Sequence, residues 1–141
     1  MEVVNSVEEK KQRLIKSLSK FEGKDERLKF IIGLGRNMPP MDPKLKIDQF
    51  LVRGCISKAW LVPEFKDGSV TFHADSEAMT VKGIMSVLLE VLDGLTPQQI
   101  LEEDGTFLAE VGITEHLSMN RRNGLANFLE LIHTYARAFQ G

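Results

Sequence analysis

Cys55 is the only cysteine of the chain, set in Arg53-Gly54-Cys55-Ile56-Ser57-Lys58-Ala59-Trp60 at the lip of an apolar run. One thiol can neither close an intrachain disulfide nor supply a thiolate set for a metal, but it can act as a nucleophile or a covalent carrier. Gly54 frees the backbone for a positive φ or a tight turn, which lifts the following side chain out of a strand. Arg53 and Lys58 lie close in sequence, and nearby cations raise the thiolate fraction. A structural role competes with this, because free cysteine is among the most buried residue types and packs as a small hydrophobe. The segment by itself leaves both open.

A thiol hydrolase would add a base within hydrogen-bond reach and a group to orient it. His73 and Asp75 are available, yet His73 alternates with Val70 and Phe72 and reads as the solvent side of a strand. His116 belongs to the turn before the last helix, and His133 falls on that helix's polar side. No histidine lies at helical spacing from another histidine or from the cysteine, so a zinc or iron site is not expected. Gly33-Leu34-Gly35-Arg36 follows a helix rather than a strand, which points to close helix packing and not to a phosphate loop. Arg121 and Arg122 open the last helix, where the macrodipole disfavours cations. Either they bridge to Asp75 or Glu77, or they orient the Cys55 loop or dock a partner.

The 141 residues fit one domain, 1–141, and 43% hydrophobic with 27% charged residues is an ordinary globular balance. A formal net charge of −2 offers no basic face for nucleic acid. The N-terminus lacks a secretory pattern and no apolar run reaches the ~20 residues of a membrane span, so a cytoplasmic protein is expected. A lone cysteine suits that reducing compartment.

Apolar spacing predicts helices over Ser6–Phe21 and, capped by Asp25, through Asn37. Pro39, Pro40 and Pro43 then impose an irregular stretch. The period changes to strand-like over Ile47–Val52, Ala59–Phe65 and Val70–Ala74, with an Asp67-Gly68 hairpin signal between the last two. Pro63 opposes a central-strand position and marks a bulge or an edge. Asp75-Ser76 is expected to cap a nearly all-apolar, buried helix over Glu77–Asp93. Thr96-Pro97-Gln98-Gln99 has the capping-box spacing of a short helix, followed by another at Phe107–Val111 and a long one from Ser118 to Ala138. The expected fold class is α+β: a three-stranded antiparallel sheet packed with about six helices.

Several spaced motifs together resemble the SufE-like sulfur acceptors. Gly54-Cys55-Ile56-Ser57-Lys58-Ala59-Trp60 is similar to their Gly-Cys-x-Ser-x-x-Trp signature. Leu34-Gly35-Arg36-Asn37-Met38-Pro39, Ala74-Asp75-Ser76-Glu77-Ala78 with Val81-Lys82-Gly83, Leu95-Thr96-Pro97-Gln98-Gln99-Ile100, and Glu115-His116-Leu117-Ser118 with Arg121 and Gly124-Leu125 follow in register. The family resemblance implies a fold shared with IscU-type scaffolds, and a single cysteine, Cys55, that takes persulfide sulfur from a pyridoxal-phosphate cysteine desulfurase. It implies stimulation of that desulfurase and delivery of the sulfur to an iron–sulfur scaffold, with no cofactor in the acceptor and no enzymatic turnover of its own. Where those scaffolds hold a cluster with three cysteines, one cysteine implies carriage. Gly54, Ser57 and Trp60 are expected as loop supports, and Asp75, Glu77, His116 and Arg121 as loop-orienting or partner-contact residues. Ile56, Phe50 and Glu77 stand where the family commonly has glutamine, asparagine and aspartate. A binding partner that regulates a desulfurase without carrying sulfur is the alternative.

Overall fold

The computed structural model describes residues 2–54, 57–110 and 119–140, with side chains described at most of these positions but not at 2–6, 24, 109–110 or 119–121. The chain runs α1 (Glu2–Ser19), α2 (Lys24–Arg36), two 3-10 turns (Pro43–Leu45 and Asp48–Phe50), β1 (Ala59–Lys66), β2 (Ser69–Ser76), α3 (Met79–Leu92), α4 (Pro97–Leu101), the helical turn α5 (Phe107–Glu110) and α6 (Met119–Gln140). At the centre lies α3. Gly83 to Leu88, Val91 and Leu92 are all buried, so nearly its whole circumference is apolar and enclosed, as its composition requires. It meets α1, α2, β2 and α6, and the shared core takes in Leu14, Leu18, Leu61, Phe72, Phe128 and Ile132.

Two glycines set how closely α2 and α3 approach. A Cβ on Gly35 would lie 2.7 Å from Gly83 N, and a Cβ on Gly83 would lie 2.5 Å from the Ile31 carbonyl oxygen. Both obstacles are backbone atoms, which cannot rotate aside. The expected packing role of the Gly33-Leu34-Gly35 segment therefore falls on Gly35, while a Cβ on Gly33 would meet nothing within 4 Å.

The hairpin forms where Asp67-Gly68 places it. Asp67 has φ 53° and Gly68 φ 81°, two successive left-handed residues that match the right-handed twist of the flanking strands. Ala59 pairs with Ser76 and Lys66 with Ser69. Ala59 and Leu61 face the main core, whereas Trp60 and Val62 on the opposite face join Met41 in a second cluster against which Leu45, Phe50 and Leu51 pack.

Among the described residues the sheet has two strands rather than the expected three, and beside it stand five helices of five residues or more plus the four-residue turn α5. Ile47–Val52, expected as a strand, instead forms the second 3-10 turn, with Phe50 N–H donating to the Ile47 carbonyl at 3.0 Å. Its pairing with β1 shrinks to one bridge, Leu51 to Trp60, and one hydrogen bond, Val52 N–H to the Ala59 carbonyl at 2.8 Å. Two causes act together. Alternation along β1 turns the backbone of Ala59, Leu61 and Pro63 toward this edge, and proline brings no donor to a third strand. Ile47–Val52 also mixes apolar and polar residues on both period-2 faces, so extended pairing would bury no clean face. Helix starts shift as well. Asp75 and Ser76 end β2 instead of capping α3, whose N-cap is Ala78 without a side-chain bond, and Gly23 rather than Asp25 occupies the N-cap of α2. The Thr96–Gln99 capping box is present, with bonds of 3.2 and 2.9 Å.

Gly83→Ala should destabilise the fold, since a backbone overlap costs about 1–3 kcal/mol or more against roughly 1 kcal/mol of helix propensity gained. Gly33→Ala meets no obstacle and should stabilise by about 0.5–1 kcal/mol. Urea midpoints of the two variants check the contrast; equal shifts would dismiss the close crossing.

Candidate functional site

Cys55 belongs in sequence to residues 53–58, which join Val52 to the start of β1, and the described residues at both ends of this segment are tied down. The Val52–Ala59 hydrogen bond ties one end. At the other, the Lys58 carbonyl accepts from Ser76 Oγ at 2.9 Å and from Glu77 N–H at 3.0 Å, pinning the loop exit to the end of β2. Gly54 takes φ 85°, in the left-handed region that glycine enters without a Cβ penalty. Its open face lies against α6, where a Cβ would overlap the carboxamide of Asn127. Cys55, Ile56, His116 and the side chain of Arg121 lie outside the described residues.

Beside the loop exit sits a buried carboxylate. Asp75 is 6% exposed and pairs with two lysines, Lys46 Nζ at 3.0 Å and Lys82 Nζ at 3.3 Å, while accepting Ser76 N–H at 2.8 Å. Burial alone would raise its pKa. The bonds from Lys46, Ser76 and Lys82 outweigh that and hold the carboxyl below its ordinary value of 3.8. Lys46 also stands 5.3 Å from the Trp60 ring centroid, within cation–π range, so one ammonium ties the carboxylate to the indole that anchors the loop's base. The 3-10 region, both strands and the first turns of α3 thus converge on one point.

Of the expected site residues, Gly54, Ser57, Trp60, Asp75 and Glu77 come together around this loop. Trp60 is buried, Ser57 is half-buried, and Glu77 is exposed and engages the loop through its backbone N–H. Among the described residues the partners of the Asp75 carboxylate are two lysines, and exposed Arg122 forms no ion pair; the expected bridge from Arg121 lies outside the described side chains. Lys46, Lys82 and Asn127 were missed. Lys82 lies seven residues after Asp75, across a strand end and a helix start, and only the fold shows that they meet. His73 is solvent-facing and 3.3 Å from Glu64, and His133 bonds the Glu103 carbonyl at 2.7 Å, so neither belongs to the loop. A cleft of about 480 Å³ opens elsewhere, along β2 and α3 at Phe72, Ala74, Ser86 and Asp93. Among the described residues no group of three or more His, Cys, Asp or Glu could hold a metal ion, and no helix is long and apolar enough to cross a membrane.

The Asp75 network carries a pH signature. Because its folded pKa lies below the unfolded one, its stabilisation is complete above about pH 4–5 and is lost as pH falls through the folded value. Asp93 acts oppositely: burial raises its pKa against the Phe72 N–H bond, so its ionisation costs stability as pH rises. Asp75→Asn should lower stability near neutral pH by about 1–3 kcal/mol, because it takes the carboxylate charge from the largely buried Lys82 ammonium. It should also flatten the loss of stability in acid. Denaturant titrations of both proteins near pH 7 and below about pH 4 check this; parallel acid limbs would remove Asp75 from the account.

Comparison with known proteins agrees with this geometry. Residues 12–136 match the SufE family, described as an Fe-S metabolism associated domain. An uncharacterised SufE-like protein of Synechocystis sp. is 34% identical over 115 residues, covering 82% of this chain and 72% of its own length. The solution structure of a hypothetical protein from Thermus thermophilus superposes with a TM-score of 0.77 over 94% of this chain and 97% of that one, at 22% identity, and so shares the fold. The family's general role is sulfur acceptance in iron–sulfur metabolism, alongside a cysteine desulfurase and without catalysis of its own. With a family match across nearly the whole chain and a loop of the matching signature framed as described, the protein belongs to the SufE family.

Proposed function

We propose that Cys55 is the sulfur-carrying residue: it accepts persulfide sulfur from a cysteine desulfurase, speeds that enzyme's turnover by clearing it, and passes the sulfur to an iron–sulfur scaffold in the cytoplasm. The observation that supports the proposal is the single cysteine of a SufE-family chain, which lies in sequence between two positions tied to the hairpin, Val52 through Ala59 and Lys58 through Ser76. The Cys55 thiolate attacks the outer sulfur of the desulfurase persulfide. A bond forms between that sulfur and Cys55 Sγ, the bond to the desulfurase cysteine breaks, and the enzyme's thiolate leaves. This is exchange between sulfurs, with no net oxidant, so its rate follows thiolate fraction and access. Pyridoxal phosphate belongs to the partner.

The framework supports this use. A carrier must offer its thiol to two partners in turn, which calls for a short loop on a stiff base. Pinned feet, the Asp75 network and the buried Trp60 supply the base. Phe50 and Ile56 replace the polar residues common in the family and bear on which desulfurase is recognised.

Incubation with the host's cysteine desulfurase and cysteine, followed by non-reducing intact mass spectrometry, should show one added sulfur on the protein, removed by reductant. Cys55→Ser should abolish both the adduct and the faster sulfide release. Full stimulation by Cys55→Ser would instead make the protein a regulator that carries nothing. No adduct with any active desulfurase of the host would end the carrier proposal.

A further inference from the structure

Asn127 touches the loop at a point that neither the family signature nor the apolar pattern of α6 assigns. The buried stripe of α6 is Leu125, Phe128, Ile132 and Ala136. Asn127 stands beside it, exposed, in the interior of the helix. Asparagine is a mediocre helix former, and this carboxamide makes no hydrogen bond with a described residue, so helix energetics do not account for it. What it does meet is Gly54. A Cβ built on Gly54 would overlap Asn127 Nδ2 and stand 3.0 Å from Asn127 Cγ. Gly54 thus answers two demands at once, a φ of 85° and room for a carboxamide. The residue after it is Cys55.

We infer that Asn127 is a positioning residue for Cys55: its carboxamide fills the space that Gly54 leaves and sets the peptide leading into Cys55 against α6. Both feet of the loop are tied to the hairpin, by Val52–Ala59 and by Lys58 with Ser76 and Glu77. Those ties hold the two ends of the segment to the hairpin, and neither reaches α6. The Gly54–Asn127 contact supplies a third point of reference. A carboxamide also suits the place chemically, since its two donors and one acceptor can serve loop peptide groups without adding charge beside a thiolate. A carboxylate of the same shape would disfavour the thiolate. The inference concerns the loop proposed above as sulfur carrier and depends on that reading only for its activity measurement.

The test reads the thiol directly. Rates of Cys55 alkylation by iodoacetamide are measured from about pH 6 to about pH 10 for the wild type, Asn127→Ala, Asn127→Asp, Gly54→Ala and the Gly54→Ala/Asn127→Ala pair. Asn127→Ala should raise the rate several-fold while the thermal midpoint stays close to wild type, because the position is exposed. Asn127→Asp should move the thiol's pH profile upward, which a residue remote from the loop would not do. Gly54→Ala should be less damaging when residue 127 is alanine, since the overlap is gone and only the φ penalty remains. Wild-type rates and pH profiles in both Asn127 variants would overturn the inference; if Gly54→Ala does not fold, those two variants decide alone. Sulfur uptake from the desulfurase separates the two proposals. No uptake by the wild type ends the carrier reading and leaves the alkylation result standing, whereas normal uptake with unaltered alkylation in Asn127→Ala ends only this inference.

Discussion

A two-stranded hairpin does not hold itself together in water, and everything near the Cys55 loop depends on the burial of α3 against it. Isolated hairpins are marginal because they bury little and leave two edges open. Here α3 covers one face of the hairpin and is itself enclosed by α1, α2 and α6. That enclosure needs α2 to come near enough for backbone to touch backbone, which Gly35 and Gly83 permit. The residue before Gly83 is Lys82, and its ammonium reaches Asp75 from the first turns of the helix. Helix burial, a matter of apolar area, therefore decides where the charge at the loop's base stands.

The electrostatics of that base follow from partial burial. A carboxylate that is 6% exposed is costly unless several donors face it, and Asp75 has two ammonium groups and a backbone N–H. Removing any one leaves the others short of a partner in a poorly solvated place. Lys46 adds a second constraint by lying over Trp60, so that the irregular segment after the prolines is tied to the strand that leaves the loop. The outcome is a rigid perimeter round a short loop, built from groups that are far apart in sequence.

Local chemistry was legible in the sequence. Asp67-Gly68 names its own turn type, Thr96 to Gln99 its own cap, and the all-apolar stretch over α3 its own burial, because each signal acts over a few residues. The signature around Cys55 and the motifs in register with it led to the family. Ile47–Val52 misled because apolar content resembles a strand even where neither face is cleanly apolar, and the donor missing at Pro63 matters only once that edge is placed beside it. The partners of Asp75 were likewise not local. Arginine's fork suits a carboxylate, but Lys46 and Lys82, which no local spacing links to Asp75, are cations that the fold brings to 3.0 and 3.3 Å from it. Asn127 carries no sequence signal at all, since its contact is with a residue that has no side chain.

The loss of a third strand also explains how the outer face of the hairpin is finished. A paired strand would have satisfied the edge of β1 with hydrogen bonds; here one bridge and one bond do so, and side chains cover the rest. Met41, Trp60 and Val62 form that cover, with Leu45, Phe50 and Leu51 packed on them. Phe50 contributes apolar area to the cluster around Trp60, so the base beside the Cys55 segment is held by packing. Packing of this kind is non-directional and excludes water. It fixes the indole firmly without dictating the path of the peptide above it, which leaves that path to Gly54 and to whatever stands against it on α6.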